Sequence, residues 1–258
     1  MKSNRAKKTV EKLEKAMAAY KEEISLQLCV SDGNGKIGRI KNISVAPIIT
    51  CHGICGQCAI HCYDTKAVLQ YPEVCDARAR NTVLLRYHPF EFFAQALSAA
   101  RRQQKGLFRW NVGGEIDGLN HLRMIVRIAE LVPGTRFLLF TKRHYLVNSY
   151  CDSMCRRSAI PSNLKLIFSA WAGMALDNPY SFPVSAPYAG TRPSGWKKCV
   201  GNCETCAEKG LGCWSAKSGD VIGFAYHGTD YDSFAADFAD WDFPRQDRRG
   251  KGREVNAA

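Results

Sequence analysis

The sequence predicts an α/β protein, a partial (β/α) barrel or open parallel sheet carrying a cysteine-rich, metal-stapled C-terminal appendage. Three observations predict it. Strand-length β-branched and aromatic stretches alternate with helix-length stretches of apolar periodicity, joined by short turns, which is the pattern of parallel β/α units. The alternating region spans only Ile40 to Ser185, whereas a complete eight-fold barrel takes about 250 residues. Beyond it, residues 186–229 are rich in glycine, proline and cysteine rather than in periodic apolar residues.

Taken in order, Met1–Lys8 reads as disordered. From Thr9 to Leu28, apolar Val10, Leu13, Met17, Tyr20 and Ile24 recur at helical spacing with Glu and Lys between them. Ser31–Gly38 reads as a turn or hairpin, and Ile40–Ile49 as a strand running into Cys51. His88–Gln104 is predicted helical through Phe92, Phe93, Ala96, Leu97 and Ala100, until Gly106 breaks the pattern. Leu107–Val112 is strand-like and ends at Gly113-Gly114-Glu115. Leu119–Val132 is helical and is closed by Pro133-Gly134. Arg136–Thr141 is a strand, Arg143–Arg157 a helix and Leu164–Ala170 another strand, while Asp177-Asn178-Pro179 reads as a turn. The expected organisation is an N-terminal helix and hairpin (1–39), an α/β core (40–185), a cysteine-rich metal-binding segment (186–229), and an acidic-aromatic segment with a disordered basic tail (230–258).

Composition excludes several classes. At 46% hydrophobic and 23% charged, the chain has the make-up of an ordinary globular protein. Its longest apolar runs, Arg136–Thr141 and Leu164–Trp171, are strand-sized and too short to cross a bilayer, so no membrane partner is expected. Glu11, Glu14, Glu22 and Glu23 interrupt the basic N-terminus and no apolar stretch follows, which argues against a secretory signal and for the cytoplasm. The net charge of +12 suits nucleic acid. Much of that charge sits in Met1–Lys8 and Arg245–Arg253, so nucleic acid would be met through the basic termini. Twelve cysteines in such a chain argue for metal rather than for disulfides.

Eight of those cysteines fall in two tight groups. The first is Cys51, Cys55, Cys58 and Cys62, directly after a predicted strand. Thiolates are soft ligands that favour iron–sulfur clusters, Zn(II) or Cu(I). Four of them suit a cluster or a closed tetrahedral zinc site. His52 and His61, beside them, read as solvent-facing polar residues. The gaps between Cys51, Cys55 and Cys58 resemble the signature of radical S-adenosylmethionine enzymes, although Gln57 stands where that signature has an aromatic residue. The resemblance implies a [4Fe–4S] cluster held by three thiolates. Its open iron would chelate the amino and carboxylate groups of S-adenosylmethionine and deliver an electron to the sulfonium. Cys62 lies outside that scheme, as a fourth ligand or as a replacement for one of the three. Gly113-Gly114-Glu115 strengthens the resemblance, because a Gly-Gly-Glu at the end of the second strand holds the amino group of S-adenosylmethionine in those enzymes. Glycine lets a ligand approach the backbone closely, and strand C-termini are where α/β folds place ligands. Arg109, Asn111, Lys142, Arg143 and Ser169, at predicted strand ends, are further candidate contacts to cofactor or substrate.

Thr50-Cys51-His52-Gly53, Cys58, Cys62-Tyr63, Phe108-Arg109-Trp110-Asn111, Gly114-Glu115, Phe137–Lys142 and Phe224-Ala225-Tyr226-His227 together resemble the phage and prophage family called gene product eighty-eight. The resemblance covers Ile40 to His227. It implies a divergent radical S-adenosylmethionine-like iron–sulfur protein, phage- or prophage-encoded and acting in a bacterial host cell. It favours Cys51, Cys58 and Cys62 as ligands, Cys55 being no part of the family's pattern.

The second group, Cys199, Cys203, Cys206 and Cys213, suits a second cluster or zinc equally, and either metal would organise a segment poor in apolar residues. Cys29, Cys75, Cys151 and Cys155 remain; Cys151 and Cys155, four apart on a predicted helix, read as a core or surface pair, with a place in the cluster's ligand set as the alternative. Three functions are expected in turn. The first is an iron–sulfur enzyme cleaving S-adenosylmethionine to act on an unknown substrate with the help of an electron donor. The second is a zinc-binding, non-catalytic nucleic-acid-binding protein. The third is an iron–sulfur redox protein without S-adenosylmethionine chemistry.

Overall fold

Short strands that are apolar on both faces and separated by helices pair most readily as a parallel sheet with both faces covered. The computed structural model describes residues 2–23, 25–154, 159–227 and 230–244. It contains β1 (Lys41–Ile43), β2 (Leu107–Trp110), β3 (Arg136–Thr141), β4 (Leu164–Ser169), β5 (Val184–Tyr188), β6 (Lys197–Lys198) and β7 (Val221–Ala225). They form one seven-stranded sheet in the order β1-β2-β3-β4-β5-β7-β6, every pairing parallel. The sheet is therefore open, with β1 and β6 as its edges.

The helices are α1 (Lys2–Tyr20), α2 (Gly56–His61), α3 (Tyr63–Gln70), α4 (Pro72–Tyr87), α5 (Pro89–Arg101), α6 (Leu119–Leu131), α7 (His144–Ser153), α8 (Cys203–Glu208) and α9 (Tyr231–Phe238). Because a strand has a period of two, each sends alternate residues to opposite faces. Phe108, Trp110, Phe137, Leu139, Leu166 and Phe168 pack in the main core with Val83, Phe92, Ile125 and Val147 from the helices. Leu107, Leu138, Ile167 and Ile222 enter a second cluster, where they meet Cys206, Ala207, Cys213 and Trp214. The second cysteine segment is thus no appendage. It covers the other face of the sheet, where Leu107, Leu138, Ile167 and Ile222 have to be buried. The segment is tied at both sides: the Cys199 amide donates to Gly223 O (2.9 Å) beside β7, and the Cys203 amide to Lys36 O (3.1 Å) ahead of β1.

Several expectations need correction. Lys2–Lys8, expected to be disordered, belong to α1, where Arg5 donates to the Ile60 carbonyl and Thr9 is buried against Thr65. The strand expected over Ile40–Ile49 stops at Ile43. The chain then turns, with Thr50 N–H on Ala46 O and Ile48 at φ 67°, so Cys51 follows a turn rather than a strand. Helices α3 and α4, unforeseen, pack with α1 on the helical side. The expected boundary at 185/186 falls inside β5, and the acidic-aromatic segment carries α9. The disordered basic tail from Arg245 onward, like Cys155, lies outside the described residues. Among the described residues, no helix is long and apolar enough to cross a membrane.

Candidate metal centre

At the C-terminal ends of the strands lies a cavity of about 240 Å³. Cys51 reaches it from the turn after β1. Cys58 lies in α2 and Cys62 caps that helix, four residues on and so on the same helical face. All three line the cavity, together with Asn111, Gly113, Gly114, Glu115, Lys142 and Ser169. Cys55, at the start of α2, does not line it, nor does Arg143, whose guanidinium donates to Ile116 O (3.5 Å). Among the described residues, no group of three or more His, Cys, Asp or Glu is arranged to hold a metal ion.

The Gly-Gly-Glu loop is built into the protein before any ligand is considered. Gly113 N–H donates to Ser44 Oγ (3.2 Å) and Gly113 O accepts from Val45 N–H (3.2 Å). A Cβ at Gly113 would overlap the Asp64 carboxylate, and one at Gly114 (φ 76°) would overlap the Val45 backbone. The glycines are therefore required first for packing against the segment that delivers the cysteines, rather than for ligand approach. Asp64 is itself fixed by a bidentate pair with Arg78 (3.1 Å to each oxygen). Glu115 is buried. Its Oε1 accepts the Ile116 N–H (2.8 Å), its Oε2 the Lys142 N–H (2.7 Å), and its own N–H donates to Thr50 Oγ1 (3.0 Å), next to Cys51. Asn111 sits at the end of β2 with φ 49°, is 5% exposed, and has neither amide atom hydrogen-bonded.

Burial governs the electrostatics. It pushes the Cys58 thiol up to about 12 and raises those of Cys51 and Cys62 as well. Burial alone would discharge Lys142, but Cys58, Glu115, Cys51 and Cys62 outweigh it and hold the ammonium above the usual lysine range.

His61 is not solvent-facing. Its side chain is wholly buried between Asp230 (Nδ1, 3.2 Å) and Asp237 (Nε2, 2.8 Å), clasping the cysteine loop to α9, and Tyr226 donates to the same Asp230 (2.6 Å). His52 is half exposed and bonded to Asp117 (3.2 Å). Sequence reasoning missed the His61 clasp, as well as Asp64 and Trp171 on the cavity wall. No motif marks them, since their partners lie far away in the chain.

At the second group, Cys206 and Cys213 are buried and Cys199 and Cys203 half-buried. Burial raises the Cys199, Cys206 and Cys213 thiols. Arg109 joins the two regions: it lines the first cavity, lies over the Phe140 ring (5.1 Å) and donates from Nη1 to Cys203 Sγ (3.3 Å). Cys75 and Cys151 are buried in the main hydrophobic core.

A family model described as gene product 88 matches residues 2–213. No curated protein and no solved structure matches the chain.

Proposed function

The chain belongs to the gene product 88 family, and from that premise we propose that it is an iron–sulfur protein that binds S-adenosylmethionine and cleaves it reductively to act on a substrate. One observation carries the reading: Cys51, Cys58 and Cys62 line the same cavity as Gly113-Gly114-Glu115, Asn111 and Ser169.

The donor types, soft thiols beside a carboxylate and an amide, suit a [4Fe–4S] cluster and its cofactor. Three soft thiols would each ligate one of the four irons and leave the fourth open for a ligand. Asn111 adds a buried amide with neither atom paired, an arrangement that calls for a polar partner. Cys51, Cys58 and Cys62 would hold the cluster, which when bound supplies one electron to the sulfonium of S-adenosylmethionine. The remaining roles belong to the chain. Glu115 is oriented by two backbone N–H groups and keeps acceptor capacity for the cofactor's ammonium. Asn111 offers that ligand one donor and one acceptor, and Lys142 offsets the charge of the thiolates. Because the thiol pKa values are raised, metal enters only as protons leave.

The same reading places the protein in the cytoplasm of a bacterial host, with an electron donor as partner. It gives Cys199, Cys203, Cys206 and Cys213 a second cluster or a zinc ion, which would staple the covering segment to the sheet. Four thiols in that group suit zinc equally, which gives a second reading, a zinc-binding, non-catalytic protein that meets nucleic acid through its basic termini.

Anaerobic purification with iron, sulfide and zinc counts, followed by dithionite and S-adenosylmethionine, separates these readings. Iron with release of 5′-deoxyadenosine is the expected result. Stoichiometric zinc in a colourless protein would support the nucleic-acid reading, and iron without cleavage would leave a redox protein.

A further inference from the structure

The acidic-aromatic segment takes no part in the chemistry proposed above. From Asp230 to Pro244 it carries Asp230, Asp232, Asp237, Asp240 and Asp242 and no lysine or arginine, in a chain of net charge +12. Asp230 and Asp237 clasp His61. The same segment helps to wall a second cavity, of about 720 Å³, beside the end of β5.

That cavity is a chain of rings. Tyr188 meets Trp196 at 81°, Trp196 meets Phe243 at 66°, Phe243 meets Trp241 at 75°, and Trp241 meets Phe238 at 87°, with centroids 4.8–6.5 Å apart. In each edge-to-face pair one ring offers its face and the other its edge, and all five rings line the cavity. A π face carries negative partial charge. Asp242 is the one Asp, Glu, Lys or Arg among the described residues that line the cavity. Arg192, on the facing loop, is engaged with the Trp196 carbonyl. Ring faces plus a carboxylate, on an acidic segment, attract a cation and repel a phosphate.

We propose that this cavity is a binding site for a cationic organic group, an alkylammonium or a guanidinium. Pro187 lines both this cavity and the metal cavity, so the bound group lies next to the proposed chemistry. Taking it as the cationic end of the substrate rests on the function proposed above, whereas the binding itself does not.

The test titrates the full, iron-free chain with Nα-acetyl-arginine methylamide, with its uncharged isostere Nα-acetyl-citrulline methylamide and with tetramethylammonium, following tryptophan fluorescence. Saturable binding of the arginine derivative, at least tenfold tighter than the citrulline one, is expected. Trp241→Leu should weaken it about tenfold and Trp241→Phe far less, in keeping with the loss of one ring face. Asp242→Asn should weaken it by a smaller factor. Tighter binding of the arginine derivative than of tetramethylammonium assigns the site to a guanidinium, and the reverse order to an alkylammonium. Equal binding of arginine and citrulline derivatives, or no saturable binding of any probe, overturns the proposal. Since iron is absent throughout, either result leaves the iron–sulfur reading where it stood.

Discussion

The two cysteine groups lie on one sheet and are held in opposite ways. Cys51, Cys58 and Cys62 come from a turn and a short helix beyond the strand ends, and they share their cavity with Glu115, Asn111 and Lys142. Cys206 and Cys213 are packed with Leu107, Leu138, Ile167 and Ile222 in an apolar cluster. The first group faces polar groups and space that a ligand can enter, whereas the second is part of how the sheet is covered. A single strand shows the join: Leu107 belongs to the second cluster, Arg109 reaches Cys203 while lining the first cavity, and Asn111 lines that cavity from beyond the strand's end. The same residue type thus serves access at one place and burial at the other, and substitutions should separate the two.

The largest contrast is within the first group. Cys58→Ser should abolish iron binding there, while Cys55→Ser leaves it nearly whole, read as iron and sulfide per chain against an unchanged metal content at the second group. Equal losses from both variants would restore Cys55 as a ligand and undo the assignment. Next comes stability. In the metal-free protein Cys213→Ser, which puts a hydroxyl into the apolar cluster, should cost roughly 3 kcal/mol. That corresponds to a fall in Tm of roughly 10 °C in a chain of this size. Cys62→Ser in the metal-free protein should shift Tm far less, and comparable shifts would show that both groups are structural.

A smaller effect tests how the Gly-Gly-Glu loop is held. Gly113→Ala drives a Cβ into the Asp64 carboxylate and disturbs its pair with Arg78. Overpacking of this kind costs about 1–3 kcal/mol. S-adenosylmethionine binding, measured by calorimetry, should weaken as Glu115 shifts. Unchanged stability would show that Asp64 has room to move.

How much of this was legible follows from what each feature depends on. Strands β1 to β4 and helices α5 to α7 show in the chain because apolar periodicity is local, whereas β5 to β7 lie where the sequence read as loop-rich. Asn111 and Ser169 were singled out because strand C-termini can be located without coordinates, and Glu115 through the resemblance of its Gly-Gly-Glu; that the three line one cavity follows from the parallel topology. The turn at Ala46–Thr50 stayed hidden, since Ile48 adopts a positive φ that β-branched residues avoid. The covering role of Cys199–Cys213 was illegible for another reason: nothing in the sequence says which face of a sheet a distant loop will bury. Likewise the clasp on His61 depends on aspartates more than 160 residues away.

The smallest effect is on pH dependence. In the metal-free protein the Cys58 pKa is raised by burial to about 12, against an ordinary thiol value of about 8.5. The folded state therefore favours the protonated thiol. Its contribution is fully present below the ordinary value and is lost as pH rises toward 12. Tm of the metal-free protein should fall between about pH 9 and about pH 11. The Cys58→Ser variant should lose less over the same range. A flat profile would mean that the thiol is hydrated.

The central claim is that sulfurs of Cys51, Cys58 and Cys62 leave one iron open beside Glu115. It is tested most directly by low-temperature electron paramagnetic resonance of the dithionite-reduced, anaerobically reconstituted protein, with and without S-adenosylmethionine. The account predicts a reduced [4Fe–4S] signal whose g-values move when the cofactor is added and move less in Glu115→Gln. A cluster spectrum indifferent to S-adenosylmethionine, or fully reconstituted protein with no cluster signal, would contradict it.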